Sequence, residues 1–411
     1  MELIKKLLGC VFLLLLCTTI AWAGCGIEKG SVRILSNDFG ALNAVTDMAA
    51  TCAGDGVTVT KNRTSEHRDL QVAALTANPA EYSVVIVANS SITPLLNKGL
   101  IRPMDDLVAK HGASLKKNQL ITIDGKIMAI AFMANAQHLY YRKDILEQAG
   151  VAVPSTYEEV LAACKKIRDK GLMVNPFASN FKVGWNLGEE FVNMYLGYGG
   201  EFFKPGTAEI SINNAKGVAA LNMLKSLVEY ANPDFLTYDS NASAAQWEAG
   251  KTALMIGWGS RSGAILDDEG STPEIVANTM LTGAQTVAGG SKPATTLWWD
   301  GFTIAKNISD EDAEASFIAM LKGISTEMVK ANNDLSVWLI DGYQPGKGAK
   351  GVYASAQADA APYPMLPFMG PLHSALGAEI SDFLQGKENA EQALGDVEAA
   401  YNAAAREKGF L

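Results

Sequence analysis

The chain has 411 residues, of which 34 are Lys or Arg and 44 are Asp or Glu, and its formal net charge is −10. Nucleic acid and anionic membranes require clustered Lys and Arg side chains, so this evenly charged, moderately acidic chain is not expected to bind either one as its main partner. The length is sufficient for two domains.

Residues 1–23 have the pattern of a secretory signal peptide. Two lysines precede an apolar run over residues 7–20, and residues 21–23 read Ala-Trp-Ala, the small-x-small pattern that signal peptidase cleaves. The apolar run is shorter than the roughly 20 residues of a membrane span. We therefore expect a periplasmic protein that starts at Gly24. The alternative is a lipoprotein anchored through Cys25, although a tryptophan stands where an aliphatic residue is usual.

Three cysteines follow the signal segment, in an oxidising compartment. Cys25 precedes the first predicted strand and Cys52 ends the first predicted helix, so a bridge between them is geometrically conceivable. Cys164 lies within a predicted helix and is expected to be a buried small apolar residue. No metal site and no cofactor are predicted, because the four histidines stand alone and no cysteine pair has metal-ligand spacing.

Strands and helices alternate in the first third of the chain. This alternation is typical of βαβ units around a mostly parallel sheet that is covered on both faces. An Asp-Gly turn within residues 123–127 predicts a hairpin. The predicted strands are 31–35, 57–60 and 83–87, and the predicted helices are 41–51, 68–77, 93–98 and 104–110.

From residue 143 onward the sequence predicts long helices and few strands. Ser155 or Thr156 can cap a helix whose first turn is acidic. The stretch 283–293 is rich in Gly, Ala and Ser without periodicity, which indicates a connection between lobes. The predicted helices are 145–149, 158–170, 188–196, 214–230, 243–249 and 310–323, with a closing pair in 375–408, and the predicted strands are 253–256 and 301–304.

Several motifs carry a family resemblance. Residues 139–150 read Leu-Tyr-Tyr-Arg-Lys-Asp-Ile-Leu-Glu-Gln-Ala-Gly, and residues 154–159 read Pro-Ser-Thr-Tyr-Glu-Glu. Residues 247–255 read Trp-Glu-Ala-Gly-Lys-Thr-Ala-Leu-Met, and residues 299–305 read Trp-Asp-Gly-Phe-Thr-Ile-Ala. In this order and spacing, the chain resembles the family 1 extracellular solute-binding proteins of bacterial ABC importers, the group that contains maltose-binding protein.

The resemblance implies an α/β fold of the two-lobed periplasmic-binding-protein kind, type II-like, in which hinge crossovers join discontinuous lobes. We expect an N-terminal lobe of residues 24–134 plus 285–336. The C-terminal lobe is then 135–284 plus 337–411. The implied partners are a small carbohydrate-like solute and the cognate ABC permease in the inner membrane, with the protein acting as a monomer.

A sugar site needs flat apolar faces and a few fixed polar groups. Trp258 lies in a glycine-rich stretch after a strand, where the family alignment places a stacking residue; a structural tryptophan is the alternative. The guanidinium of Arg261 can donate two hydrogen bonds to a pair of hydroxyls or to a carboxylate, or it can form an inter-lobe salt bridge. Trp299 and Asp300 lie at the edge of a predicted strand, where one of two adjacent tryptophans can face the cleft while its neighbour faces the other side. The alternative is that the rings of Trp298 and Trp299 both belong to the core.

Polar residues also follow the first-lobe strands, at the carboxyl ends where open α/β sheets bind ligands. Asp38 can accept sugar hydroxyls or merely cap the next helix. Asn89 and Ser90 occupy the same kind of position after the third strand. Glu66 and His67, after the second strand, are weaker candidates.

The family alignment adds residues near the crossings between lobes. It places Asn135 at the first crossing, where a polar ligand contact is frequent, and Trp185 with Glu189 where the second lobe supplies an aromatic ring. Tyr343 and Gln344 lie near the third crossing.

The sequence therefore predicts a receptor that closes around a carbohydrate or polyol and performs no chemistry. A sugar acid, a phosphorylated polyol or a quaternary amine is the alternative ligand. An enzyme needs an activated nucleophile, and no serine elbow, phosphate loop or zinc helix is present. Adjacent acids such as Glu189 and Glu190 could serve a glycosidase, but such pairs on a helix usually form a solvated face.

Overall fold

Two separate β-sheets, each covered by helices, organise residues 25–411, the part of the chain that this computed structural model describes. The signal-peptide prediction for residues 1–23 lies outside the described residues. The predicted α/β fold with two lobes is confirmed. Within residues 25–411, no helix combines the length and apolar character needed to cross a membrane.

The strands fall into an eight-stranded and a four-stranded sheet. The larger sheet has the order β11-β5-β10-β3-β1-β2, with β4 paired to β5 and β12 paired to β10; the smaller sheet has the order β7-β8-β6-β9. The strands are β1 (Gly30–Ser36), β2 (Val57–Arg63), β3 (Val84–Ala88), β4 (Leu120–Ile123), β5 (Lys126–Asn135), β6 (Gln137–Arg142), β7 (Phe177–Ala178), β8 (Leu254–Trp258), β9 (Thr279–Thr282), β10 (Thr296–Ile304), β11 (Val337–Trp338) and β12 (Ala361–Pro362).

Helices cover both sheets, and the long ones lie where the sequence pattern predicts them. The sequence predicted a closing pair of helices, but the structure has three. A short helix precedes the last long one and ends before Gly386, whose φ of 77° is left-handed. The helices are α1 (Gly40–Ala50), α2 (His67–Thr76), α3 (Asn89–Asn97), α4 (Asp105–His111), α5 (Lys143–Ala149), α6 (Tyr157–Asp169), α7 (Trp185–Gly197), α8 (Ala215–Val228), α9 (Ser240–Glu248), α10 (Ser262–Leu266), α11 (Pro273–Asn278), α12 (Asp310–Gly323), α13 (Thr326–Ala331), α14 (Lys350–Gln357), α15 (Met369–Glu379), α16 (Ser381–Leu384) and α17 (Ala390–Glu407).

The interior strand β3 shows why the first third of the chain folds as a covered parallel sheet. All five of its residues are buried, and β1 pairs in parallel with both β2 and β3. Val84 and Ile86 pack into one apolar cluster with α1 and α12, while Val85 and Val87 pack into a second cluster with α2 and α3. Because both faces of the strand are covered, a continuous apolar run is required.

Two local predictions are resolved in detail. In the hairpin between β4 and β5, Asp124 has φ 50° and Gly125 has φ 74°, the left-handed pair that tight hairpin turns require. Thr156, rather than Ser155, caps α6: its hydroxyl accepts from the N–H of Glu159, and the Glu159 carboxylate accepts from the N–H of Thr156.

The chain passes between the two sheets at short connections. β5 ends at Asn135 and β6 begins at Gln137, so one residue separates the sheets at the first passage. Residues 283–295 return the chain to the larger sheet without helix or strand, as expected for a connection. β11, residues 337 and 338, still belongs to the larger sheet, which therefore extends two residues beyond the expected boundary at 336. The lobe boundaries themselves stay a prediction.

Strand β10 begins at Thr296, whereas the sequence pattern predicted a strand only from residue 301. The predicted start was wrong because Trp298 and Trp299 pair with Asn135 and Ala134 of β5 and extend the strand toward its N-terminus. Tryptophan is a favourable strand residue. The pairing shifts register opposite Asp300, where β5 has one extra residue, Phe132.

A disulfide joins Cys25 to Cys52, with the two Cα atoms 5.1 Å apart. It ties the segment before β1 to the end of α1. A sulfur in a disulfide cannot also carry a thioether-linked lipid, so this bridge and lipidation of Cys25 exclude each other in one molecule. Cys164 is a free, fully buried residue of α6, as predicted, and burial raises the pKa of its thiol.

Candidate functional site

A cavity of about 510 Å³ lies between the two sheets. Its walls combine residues that follow β1 and β2 and residues of β10 with residues of α7, β8 and α15, so both sheets contribute. The size lies within the range of small-molecule sites. The side chains in the wall include Asn37, Phe39, Glu66, Arg68, Asn135, Lys182, Trp185, Asp239, Trp258, Ser260, Arg261, Trp298, Asp300 and His373.

Three tryptophans form the apolar part of the wall. Trp185 is the first residue of α7, Trp258 is the last residue of β8, and Trp298 lies on β10 of the other sheet. Their ring centroids are 6.2 Å apart for Trp185 and Trp258, 5.5 Å for Trp185 and Trp298, and 5.7 Å for Trp258 and Trp298. Such large flat rings suit the C–H faces of a ring or chain of hydroxylated carbons.

His373 fixes the orientation of Trp185. Its imidazole stacks on the indole at 4.9 Å, and its Nε2 lies 2.7 Å from the backbone carbonyl oxygen of Trp185. A carbonyl only accepts, so Nε2 donates, and Nδ1 accepts from the Tyr363 hydroxyl at 2.9 Å. Burial lowers the pKa of His373 to about 4, so the ring is neutral at pH 7.

Arg68 supplies a charged group without protein partners. Its guanidinium carbon lies 4.1 Å from the ring centroid of Trp185, a cation–π arrangement. Its Nε is buried, and no other residue of the described chain accepts a hydrogen bond from it. Burial lowers the pKa of Arg68, and the carboxylates of Asp300 and Glu189 oppose that shift. A buried donor with no acceptor is unusual, which makes Arg68 a candidate ligand-binding residue.

Arg261 differs from Arg68, because three of its five N–H donors are already used. It donates to Asn241 Oδ1 at 2.9 Å, to Ser260 Oγ at 3.1 Å and to Ser240 Oγ at 2.9 Å. Its guanidinium also stacks over Phe39 at 4.4 Å. These neutral contacts take the place of the inter-lobe salt bridge that the sequence left open. Burial lowers its pKa to about 10, so it is cationic at pH 7.

Asp300 presents an acceptor to the same cavity. Burial raises the pKa of its carboxyl to about 6, and Arg68 and Arg261 limit the shift, so the group is mainly ionised at pH 7. Among residues 25–411, no side chain or backbone group donates a hydrogen bond to this carboxylate. Its oxygens are therefore free to accept from hydroxyl groups of a solute.

The structure places half of the sequence-predicted candidates elsewhere. Trp299 faces away from the cavity and packs on the apolar cluster under α3, because neighbouring residues of a strand point to opposite faces. Trp298 takes its place in the wall. Asn89 holds β10 instead, since its Oδ1 accepts from the N–H of Trp299 at 2.9 Å. The candidates in the wall are Asn135, Trp185, Trp258, Arg261 and Asp300, and those outside it are Asp38, Asn89, Ser90, Trp299 and Gln344.

The remaining outside candidates have local roles. The Asp38 carboxylate accepts from Asn43 Nδ2 at 2.9 Å, while its neighbours Asn37 and Phe39 line the cavity. Ser90 lies in the first turn of α3, and Gln344 bonds through its backbone to the Asn333 side chain. Whether any wall residue binds a solute stays a prediction.

Arg68 is the main residue that sequence reasoning missed. The weaker candidates His67 and Glu66 were one and two positions away. Glu66 is an exposed residue of the wall, and His67 is buried, with its pKa lowered to about 3 by burial. The usable signal was a basic residue in the first turn of the helix that follows β2. Asn135 was found, but its amide is occupied, since Nδ2 donates to Ser260 Oγ at 3.0 Å.

Comparisons with known proteins identify the family and the fold of the chain. A family model described as bacterial extracellular solute-binding protein matches residues 49–327. A solved ABC transporter solute-binding protein from Agrobacterium radiobacter, in complex with ribitol, superposes with a TM-score of 0.80 at 22% identity, covering 92% of this chain and 99% of that one. The predicted resemblance is thus confirmed.

Two curated relatives match over shorter segments. A probable ABC transporter-binding protein of Deinococcus radiodurans is 28% identical over 232 residues, 54% of this chain and 53% of the relative. An sn-glycerol-3-phosphate-binding periplasmic protein of Agrobacterium fabrum is 29% identical over 104 residues, 23% of this chain and 24% of the relative. The aligned segments thus span about half or less of these relatives. On the family match, the chain belongs to the bacterial extracellular solute-binding proteins.

Proposed function

We propose that the protein is the periplasmic receptor of an ABC importer and that it encloses a carbohydrate or polyol between its two sheets. The observation that carries this proposal is the pairing of three tryptophans in mutual contact with two polar groups that have no hydrogen-bond partner in the described chain, the Arg68 donor and the Asp300 acceptor. A polyol offers both hydroxyl donors and acceptors along an apolar carbon chain, so it matches all three features.

Delivery to a permease follows from hinge closure in this proposal. The N-terminal lobe would comprise residues 24–134 plus 285–336, and the C-terminal lobe residues 135–284 plus 337–411. Because each lobe supplies part of the wall, a solute in the cavity stabilises the closed arrangement over an open one. The membrane permease then recognises the closed form. A binding role without catalysis is supported by the family match.

The charges in the cavity rank the alternative solutes. A quaternary amine is disfavoured, because Arg68 and Arg261 both repel a cation and Arg68 already lies over Trp185. A phosphorylated polyol or sugar acid is the second candidate, since the unpartnered guanidinium of Arg68 suits an anionic oxygen. The name of the Agrobacterium fabrum relative includes a phosphorylated polyol.

A ligand screen tests the proposal. Purified protein, unfolded and refolded to remove carried-over solute, is melted with ribitol, mannitol, maltose, gluconate, glycerol 3-phosphate and choline, because a ligand of the folded state raises the melting temperature. A rise with one of the sugars or polyols supports the proposal. A rise only with choline, or no rise and no heat of binding with the whole panel, contradicts it.

Replacing Arg68 with methionine is expected to weaken solute binding at least tenfold without lowering the melting temperature. The reason is that the buried Nε of Arg68 has no acceptor within residues 25–411, so its loss removes a ligand donor without breaking a hydrogen bond of that atom. Burial of the cation outweighs its attraction to Asp300 and Glu189, so its removal is not expected to destabilise the fold. Calorimetric titration and thermal melts measure the two effects.

The matched control is Arg168→Met. Arg168 also stacks on an aromatic ring, Tyr230, at 4.3 Å, but it lies outside the cavity and donates to two backbone carbonyls. This variant should lose stability and keep its affinity. Equal affinities for Arg68→Met and the unmodified protein would remove Arg68 from the site.

A further inference from the structure

Glu189 links the two sheets directly behind the cavity wall. It lies on α7 and is fully buried, and its Oε1 accepts from Thr296 Oγ1 at 2.7 Å and from Trp298 Nε1 at 3.2 Å. The same indole N–H also lies 2.7 Å from Thr296 Oγ1, so Glu189 holds the indole together with the threonine that it orients. Both donors belong to β10 of the larger sheet. The contact with Trp298 is the relevant one, because the same indole forms part of the wall.

The second oxygen of this carboxyl group has no partner. Oε2 is buried, and none of residues 25–411 donates a hydrogen bond to it. An unsatisfied buried carboxylate oxygen costs roughly 1–3 kcal/mol or more, so a purely structural role is poorly served by a glutamate here.

The ionisable groups around Glu189 come from three elements. Glu190 is its neighbour on α7, Arg68 faces it from α2, and the phenol of Tyr363 faces it from the segment after β12. Arg68 is thus shared between the cavity and Glu189. A charge or hydrogen bond added on the solute-facing side of Arg68 therefore changes the electrostatic potential at the Glu189 carboxyl group behind it.

We propose that Glu189 is a positioning residue that holds the Trp298 indole in the cavity wall, and that gain or loss of one proton at this carboxyl group changes the affinity for solute. The proton is exchanged with the solvent. The second part of this inference rests on the proposed function, whereas the first part concerns the protein alone.

The direction of the pH effect follows from the charges. Burial raises the pKa of Glu189 to about 8; Glu190 raises it further, while the hydrogen bonds from Thr296 and Trp298 and the charge of Arg68 lower it. A solute that engages Arg68 weakens its attraction for the Glu189 carboxylate and excludes water, so the pKa is higher still in the complex. The complex therefore holds more protons than the free protein above about pH 8, and affinity falls as the pH rises through this window.

Glu189→Gln separates proton exchange from hydrogen bonding, because the amide oxygen still accepts from Thr296 and Trp298 but does not titrate. The matched control is Glu190→Gln. Glu190 is also buried on α7, with its pKa raised to about 7 by burial, but it accepts from Gln137 and Asn180 and has no contact with Trp298.

The first readout uses no solute. Tryptophan emission of the ligand-free protein is recorded from pH 7.0 to 9.5, and a transition near pH 8 is expected in the unmodified protein. Glu190→Gln should keep a transition, moved to a lower pH because the charge of Glu190 raises the pKa of Glu189. The transition should be absent in Glu189→Gln and reduced in Trp298→Phe. A transition that persists unchanged in Glu189→Gln, or that is absent from the unmodified protein, overturns the proposal.

The second readout is the affinity for ribitol over the same pH range, measured by calorimetry. We expect the dissociation constant of the unmodified protein to rise about three- to tenfold between pH 7.5 and 9.5, and that of Glu189→Gln to stay level. An equal rise in Glu189→Gln overturns the link to affinity. Failure of ribitol to bind any variant counts against the proposed function alone, since the emission readout still decides the role of Glu189.

Discussion

Trp258→Ala is expected to raise the dissociation constant for solute at least tenfold while the protein stays folded. Trp258 stacks on Trp185 and meets Trp298 edge-on, so its removal takes away one flat face and one support of each of the other two rings. Single aromatic anchors in desolvated sites typically contribute about 2 kcal/mol or more to binding. Calorimetric titration with the solute found by the screen measures the effect.

Two controls accompany this variant. Trp258→Phe keeps a ring and should lose less affinity. Trp338→Phe alters a tryptophan that packs in the core of the larger sheet, outside the cavity, and should bind normally. Because Trp258 is only 8% exposed, Trp258→Ala should also melt at a lower temperature, which circular dichroism detects. An unchanged dissociation constant would show that Trp258 is only a structural residue.

Removal of the disulfide should cause the largest loss of stability. The bridge closes a loop with a sequence separation of 27 residues, for which the chain-entropy relation gives about 3.5 kcal/mol. The double variant Cys25→Ser/Cys52→Ser, which leaves no unpaired partner, is expected to unfold at a melting temperature lower by on the order of 5 °C. Calorimetric melts with and without reductant measure this difference.

Solute affinity should be unaffected in the same variant, because neither cysteine lines the cavity. Cys164→Ala is the control for the loss of a cysteine that is not in the disulfide. Reductant should lower the melting temperature of this variant by no more than it lowers that of the unmodified protein. A double variant that melts like the unmodified protein under oxidising conditions would show that the bridge does not constrain the chain.

Structural features that depend on residues close together in the sequence could be predicted from the sequence alone. The alternating strands β1 to β3 and helices α1 and α2 follow from apolar periodicity, and the cap at Thr156 follows from a Thr-x-x-Glu spacing. The tryptophan at 258 was identifiable because it follows a strand within glycine-rich sequence. Each of these features is determined within about ten residues.

Features that depend on contacts between residues far apart in the sequence could not be predicted in this way. The choice between Trp298 and Trp299 depends on the pairing of β10 with β5, which places one indole in the cavity and the other in the core. Arg68 is a site candidate only because it lies over Trp185, more than a hundred residues away. The burial of Glu189 requires Thr296 and Trp298 to cover it. An isolated Glu-Glu pair in the sequence predicts a solvated helix face instead.

The wall of the cavity is assembled from stretches that range from Asn37 to Ala378. Many of its residues stand just after a strand or at the start of a helix, where a side chain can be exchanged while the ladder hydrogen bonds of the sheet remain. After gene duplication, a handful of point substitutions at such positions is enough to change the nutrient that is recognised, with no insertion and no new topology. Divergent copies of one scaffold can therefore supply a bacterium with receptors for many different solutes.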